Sequence, residues 1–127
     1  MGGRLVEGLI RNLGSTYDII GMGTNESAAM AMRQAGATQV VVGAKAIAVV
    51  VSHADVILGT LNVMIPGAML GEITPEIVTA VLSAKAKKVL LPLNRSHVEV
   101  VGVEEQRLDR LIETSLQRVR SLVAAVS

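Results

Sequence analysis

The chain has 127 residues, of which 50% are hydrophobic and 18% charged, with a formal net charge of +1, no cysteine and a single aromatic residue, Tyr17. The absence of cysteine excludes disulfides and Cys-type zinc sites, and a charge near zero without aromatic platforms for bases argues against nucleic-acid binding. The length is typical of one domain, residues 1–127, that can bury its own core.

Neither the start of the chain nor its longest uncharged segment indicates a membrane protein. The start has no apolar signal-peptide core, so we expect a cytoplasmic protein. Residues 56–71 carry no charge, but glycine, asparagine and proline interrupt them, and they are fewer than the ~20 residues that a spanning helix requires. We therefore expect no membrane contact and a segment that is buried or lies at an interface.

The first third of the chain predicts a helix, a strand, a helix and a second strand. Apolar residues at helical spacing, with Gly14 as the stop, indicate the first helix. Thr24 or Asn25 can cap the second helix, which follows the first strand. The four predicted elements cover residues 5–13, 17–23, 27–35 and 39–43.

Residues 45–53 are ambiguous, because three consecutive valines favour a strand while the apolar spacing also fits one helix face. Residues 55–59 form a clear strand directly afterwards. Two parallel strands need a crossover between them, so we predict a helix for residues 45–53.

The second half begins with the sharpest local signal in the chain. Thr74 as N-cap and Pro75 at the first helical position predict a new helix. The apolar run Val89–Leu93 then predicts a strand buried on both faces. Residues 97–100 alternate between polar and apolar, so we expect residues 97–101 to form an edge strand antiparallel to that run. Residues 104–126 predict a long amphipathic helix.

This alternation of helices and strands predicts an α/β protein, a three-layer α/β/α sandwich with a mostly parallel sheet and an antiparallel edge strand. In open parallel sheets, ligands bind outside the carboxyl ends of the strands. Polar residues and glycines near those predicted ends are therefore candidate ligand-binding residues. They are Gly23, Thr24, Asn25, Glu72, Thr74, Asn94 and Arg95.

Most of these candidates also have a purely structural explanation. Capping alone accounts for Thr24 and Asn25. Asn94 and Arg95 could hold a carboxylate or phosphate, or could simply form a hairpin turn. Glu72 has no obvious structural task, and a ligand contact would account for it as well as a second capping role or an ion pair would.

Two further features leave alternatives open. Gly2 and Gly3, ahead of the first helix, could offer backbone N–H groups to an anion or belong to a frayed terminus. His97 and Glu99 share the polar face of the expected edge strand, as a solvated pair or as an acid–base pair. The sequence identifies no catalytic residue and no cofactor, and two scattered histidines do not make a metal site.

Three stretches of the sequence resemble a known family. They are Ile20–Asn25, Met69–Pro75, and Leu91–Arg95 with the following Val98–Val103. They look like a family of small bacterial proteins classed as a domain of unknown function, and the resemblance covers nearly the whole chain. It implies a Rossmann-like fold and supplies no activity.

Members of that family usually open with a β-strand and a glycine-rich loop, similar to a dinucleotide-binding turn. Residues 1–3 correspond only to the tail of that loop, so the resemblance weakens nucleotide binding. If the usual first strand lies in the middle of the sheet, its absence leaves the strands that begin at Asp18 and Asp55 either paired directly or separated by a gap.

The leading hypothesis is a small Rossmann-like domain that binds a small anionic ligand, a nucleotide or a metabolite, at the strand ends. One alternative is a small enzyme that uses Glu72 or His97 as the acid–base group. The other is a structural subunit of an assembly, without a ligand.

Self-association is a separate expectation. The uncharged segment 56–71 carries more apolar surface than one face of a small sheet readily covers. We therefore expect a homodimer or a dimer of dimers, the commonest closed assemblies, through this segment. The residues expected to meet a symmetry mate are Val63, Met64, Ile65 and Met69.

Overall fold

The computed structural model of the protein describes residues 1–93 and 97–126, and this part of the chain has a mixed α/β architecture. The α/β class predicted from the sequence is therefore confirmed. The elements are α1 (Gly2–Leu13), β1 (Ile20–Gly23), α2 (Glu26–Gln34), β2 (Gln39–Val42), α3 (Ala44–His53), β3 (Val56–Thr60), a 3₁₀ turn (Leu61–Met64), α4 (Pro75–Ser83), β4 (Lys87–Leu91) and α5 (Leu108–Val126).

The ambiguous segment forms helix α3, which confirms the choice of helix over strand. Ile47 and Val51 are buried on one side of this helix, whereas Val49 is exposed. One helical face therefore takes all the deep burial, which a strand with three consecutive valines could not arrange. The helix supplies the crossover between β2 and β3.

The four strands form two separate parallel pairs. β1 pairs with β2 from Ile20 opposite Gln39 onwards. β3 pairs with β4 from Val56 opposite Lys87 onwards. β1 and β3 do not pair with each other, so the two pairs are two separate two-stranded sheets and not one continuous sheet.

Helices contact both faces of each strand pair. In β3, Ile57 packs in a cluster with residues of α3 and α4, whereas its neighbour Leu58 packs against residues of α1 and α5. In β1, Met22 packs against the α3 and α4 cluster, while a Cβ on Gly21 would lie 3.0 Å from Sδ of Met32 in α2. Successive strand side chains point to opposite faces, so each pair has helices on both of its faces. In β1–β2 the α3 and α4 cluster lies opposite α2, and in β3–β4 it lies opposite α1 and α5.

The core is unevenly distributed. The largest cluster joins α3, α4, β3 and the segment that follows β3. Its buried members are Ile47, Val51, Ile57, Ala68, Ile73, Ile77, Val78, Val81 and Ala86. Two smaller clusters involve α1 and α5, and α1 and α2; their buried members are Leu5, Leu91, Ile112 and Leu116, and Val6, Met32 and Ala37.

The expected antiparallel edge strand over residues 97–101 does not form. Residues 97–107 contain no strand, and α5 begins at Leu108 instead of residue 104. His97 has a φ of 59°, which is incompatible with an extended backbone at the start of that run. Val98 to Val103 are exposed, so this run gains no burial that would hold it against β4.

The uncharged segment 56–71 is largely accommodated within its own domain. Val63 and Ile65 pack against the largest cluster, and Ala68 is buried in it. Met69 and Leu70 at the end of the segment are exposed. Of the described helices, none has the length and apolar composition that crossing a membrane requires.

Candidate functional site

Three of the predicted ligand-binding residues lie together in the structure. The side-chain amide of Asn25 donates to one carboxylate oxygen of Glu72 at 2.7 Å, and the Thr24 hydroxyl lies 3.4 Å from the other. Thr24 and Asn25 follow the carboxyl end of β1, while Glu72 lies in the connection that follows β3. The group therefore joins the carboxyl ends of strands from both sheets.

Asn25 is held in place by its second function. Its side-chain oxygen accepts from the Ala28 N–H at 2.8 Å and so caps helix α2. Gly23, directly before, is buried, and a Cβ there would lie 3.0 Å from the Ala29 backbone nitrogen. This close approach requires glycine and brings the end of β1 against the start of α2. The capping role predicted for Asn25 is confirmed, and the same side chain also holds Glu72.

Glu72 is carried by a strained turn. Met69 and Leu70 have φ angles of 56° and 57°, in the left-handed region that costs an L-residue roughly 1–2 kcal/mol. A backbone hydrogen bond of 2.8 Å from the Gly67 N–H to the Ile73 carbonyl closes the turn. The turn places the half-buried Glu72 side chain against the start of α2.

Thr74 has a structural role. Its hydroxyl accepts from the Ile77 N–H at 3.3 Å and caps α4, and Pro75 occupies the start of that helix. The predicted N-cap is therefore confirmed. Thr74 lies two residues from Glu72, so the cap also fixes where the Glu72 turn ends.

The start of α3 is a feature that the sequence reasoning missed. Its N-cap is Gly43, with a φ of 95° and no side-chain cap, and the Gly43 N–H donates to the Gly23 carbonyl at 3.0 Å. The first turn holds Lys45 and no acidic residue. A lysine at a helix N-terminus is unfavourable unless an anion is near. The signal in the sequence was the run Gly43-Ala44-Lys45 directly after a strand.

Asn62 is a second residue that the sequence did not single out. It lies two residues beyond the carboxyl end of β3, and only 6% of the residue is exposed. Its side-chain oxygen has no hydrogen-bond partner within residues 1–93 and 97–126. A buried unpaired acceptor is costly, and such groups deserve a functional explanation.

Comparison with protein-family models identifies the chain: the model of a domain of unknown function (DUF3842) matches residues 1–124. The chain belongs to the DUF3842 family. This confirms the resemblance to a domain of unknown function that the three sequence stretches indicated. No curated protein and no solved structure matches this DUF3842 chain.

The remaining candidates of the DUF3842 chain lie elsewhere or outside the described residues. Asn94 and Arg95 fall between residues 93 and 97, outside the part of the chain that the structure describes. His97 and Glu99 are exposed, in a segment without regular structure. Residues 2 and 3 are the first residues of α1, so the structure describes them as helical.

Two cavities of the DUF3842 fold lie away from Glu72 and His97. One, of about 220 Å³, lies between α1 and α5 and includes Arg4 and Arg11. The other, of about 180 Å³, lies between β4 and α5. Among the described residues, no three His, Cys, Asp or Glu side chains gather as a metal site would require.

Proposed function

We propose that this DUF3842 protein is a small-molecule-binding domain that takes a small anionic ligand at the carboxyl ends of its strands. One observation carries the proposal. Asn25 and Thr24 reach Glu72 across 47 and 48 residues of sequence, so separate loops supply one polar group at a place where parallel α/β folds bind ligands.

The preference for an anion rests on helix α3. Its N-terminus lies next to this group, because the Gly43 N–H bonds to the carbonyl of Gly23, the residue before Thr24. The N–H groups of its first turn make no hydrogen bond with any described residue, and Lys45 adds a positive charge beside them. Free N–H groups, a helix dipole and a lysine favour a phosphate or carboxylate.

Glu72 limits where the anionic part of the ligand can lie. Its carboxylate, which already accepts hydrogen bonds from Asn25 and Thr24, is negatively charged. It would therefore repel an anion placed beside it. We therefore place the anionic group at the α3 N-terminus, with Glu72 and Asn25 beside an uncharged, hydrogen-bonding part of the same ligand. Asn94 and Arg95 stay candidates for further contacts at this edge.

The fold that we propose for this site is a Rossmann-like, three-layer arrangement. Crossovers between parallel strands are right-handed. Because α2 lies on one face and α3 and α4 on the other, right-handed connections give the strand order β2, β1, β3, β4, with β1 and β3 at the inner edges. The first strand that the family resemblance implies would occupy the position between these two edges.

Self-association through the segment 56–71 stays a proposal with a narrower surface. Val63 and Ile65 pack within the domain, whereas Met69 is 48% exposed and Leu70 fully exposed. We infer that Met69 and Leu70 contact a symmetry mate. No contact among the described residues specifically supports either alternative function. These alternatives are an enzyme with Glu72 or His97 as the acid–base group, and a structural subunit.

The proposal is tested by calorimetric titration of AMP and of inorganic pyrophosphate into the full chain and the Lys45→Ala variant. We expect binding of at least one of the two, weakened about tenfold in the variant through loss of a charge-assisted contact. Lys85→Ala is the matched control, because Lys85 is exposed at the opposite end of β4. Two results would contradict the proposed site: no heat of binding from either probe, or equal Kd values for the unaltered chain and Lys45→Ala.

A further inference from the structure

The outer edge of β4 is a free strand edge beside a cavity. β4 pairs with β3 along one edge only, and no other described segment pairs with it. Beside it lies the cavity of about 180 Å³, which has mostly apolar walls. Its lining residues are Val89, Leu90, Leu91, Pro92, Leu111, Thr114, Ser115 and Arg118. A free edge with an apolar groove along it is the usual geometry for binding an additional strand.

The same chain contains a strand-forming segment that pairs with no strand in the described part of the chain. Val98, Val100, Val101 and Val103 are exposed by 39%, 37%, 97% and 43%. The β-branched valines on either side of Glu99 favour a strand, yet residues 97–107 form no strand. The segment therefore has the composition of a strand and lacks a sheet to join.

The segment does not pair with its own β4. Leu93 and Leu108, on either side of it, pack in the same cluster as Leu91 at the carboxyl end of β4. Residues 97–107 between them are all exposed. The free edge and the free segment of one copy are both open to a second copy.

Charge complements this shape. Arg118 lines the cavity and makes no ion pair with any described residue. The segment carries Glu99, Glu104 and Glu105, all exposed and likewise without an ion pair in the described part of the chain. An acidic, valine-rich segment therefore matches an apolar groove with a basic side chain in its wall.

We propose that residues 97–105 of one copy lie along the β4 edge of a second copy. Val101 and Val103, which share a strand face with Glu99, then lie in the cavity, and Glu99 faces Arg118 in its wall. The exchange is reciprocal, so it closes as a two-fold dimer. Two such contacts bury on the order of 1,200 Å², which is enough for a weak but specific dimer. The surface is different from Met69 and Leu70, and the two surfaces together would generate a dimer of dimers.

Sedimentation velocity of the full chain carrying Leu70→Asp, which disrupts the separate contact proposed for Met69 and Leu70, tests this proposal. The series extends to about 200 µM, because interfaces of this size can have micromolar Kd. We expect reversible dimerisation that is lost when Val101→Lys/Val103→Lys is added. Both valines are exposed in the single copy, so the variant should fold, and circular dichroism checks this. Val49→Lys, at another exposed valine, is the matched control and should dimerise normally.

Two further measurements separate this interface from others. Glu99→Arg and Arg118→Glu should each raise the dimer Kd at least about fivefold, and the two together should restore it. A synthetic peptide with the sequence of residues 97–103 should dissociate the dimer. In the Leu70→Asp background, a monomer at every concentration, a dimer that survives Val101→Lys/Val103→Lys, or a monomer with protected amides at residues 98–101 would each overturn the proposal.

Discussion

The two strand pairs of this protein differ in how well they are supported. The pair β3–β4 rests on a cluster of nine buried residues, most of them isoleucine or valine. The pair β1–β2 faces, on the side of α1 and α2, a cluster of only Val6, Met32 and Ala37, and Ile20 in β1 is exposed at 36%. Stability is therefore concentrated around β3–β4 and the helices α3 and α4 that cover this pair.

This difference bears on function because the candidate site draws on both halves. Thr24, Asn25 and the start of α3 follow the weaker pair, whereas Glu72 belongs to the stronger one. Binding sites are often built from the less stable parts of a fold. A ligand that contacts both halves would stabilise the β1–β2 half most, because that half has the lower free energy of local unfolding.

Core truncations give the largest expected effect and test the comparison directly. Ile77→Ala should lower the free energy of unfolding by about 3–4 kcal/mol, because Ile77 is 3% exposed in the largest cluster. Met32→Ala, in the smaller cluster, should cost about 2 kcal/mol, because its surroundings can collapse into the space. Urea denaturation measures both values.

Leu82→Ala is the control for these truncations, since Leu82 lies on the same helix as Ile77 but is 48% exposed. It should cost less than about 1 kcal/mol. If Met32→Ala proved as damaging as Ile77→Ala, the two halves would be equally supported and the comparison would fail.

A medium effect is expected at the helix caps. Asn25→Ala should cost about 1.5–2 kcal/mol, because it removes the cap of α2 and the hydrogen bond to Glu72 together. Thr74→Ala removes only the 3.3 Å cap of α4 and should cost about 1 kcal/mol. Thermal or urea unfolding of both variants compares them. Equal losses would mean that the contact between Asn25 and Glu72 adds nothing to stability.

The smallest expected effect has the opposite sign. Leu70→Gly should stabilise the protein by about 0.5–1 kcal/mol, because Leu70 has a φ of 57° and its side chain is fully exposed. Met30→Gly, at an exposed position inside α2, should instead cost about 0.5–1 kcal/mol. Differential scanning calorimetry resolves the two signs. A destabilised Leu70→Gly would show that the turn before Glu72 stores no strain.

Local signals in the sequence predicted much of the fold and part of the site. Thr74 and Pro75 marked the start of α4, and the crossover requirement decided between helix and strand for residues 45–53. Strand-end reasoning also selected Thr24, Asn25 and Glu72 before their contact was visible. These inferences succeeded because each depends on nearby residues or on a general property of parallel sheets.

Two of the failures concern contacts between distant parts of the chain, and one is local. The alternation at residues 97–101 is a true strand pattern, but a strand forms only where a partner edge and burial are available. The burial of Asn62 and of Val63 depends on how the segment after β3 folds onto α4, which no local pattern reveals. The uncapped start of α3 was overlooked because Gly43 was assigned to the end of a strand.

The most direct test of the ligand site is an NMR titration of the ¹⁵N-labelled full chain with AMP and with pyrophosphate. The account predicts that the amides of Thr24, Asn25, Glu72 and residues 44–46 shift together and fit a single Kd, because they belong to one site that joins both halves. Shifts confined to one half, or located at the cavity between α1 and α5, would contradict it.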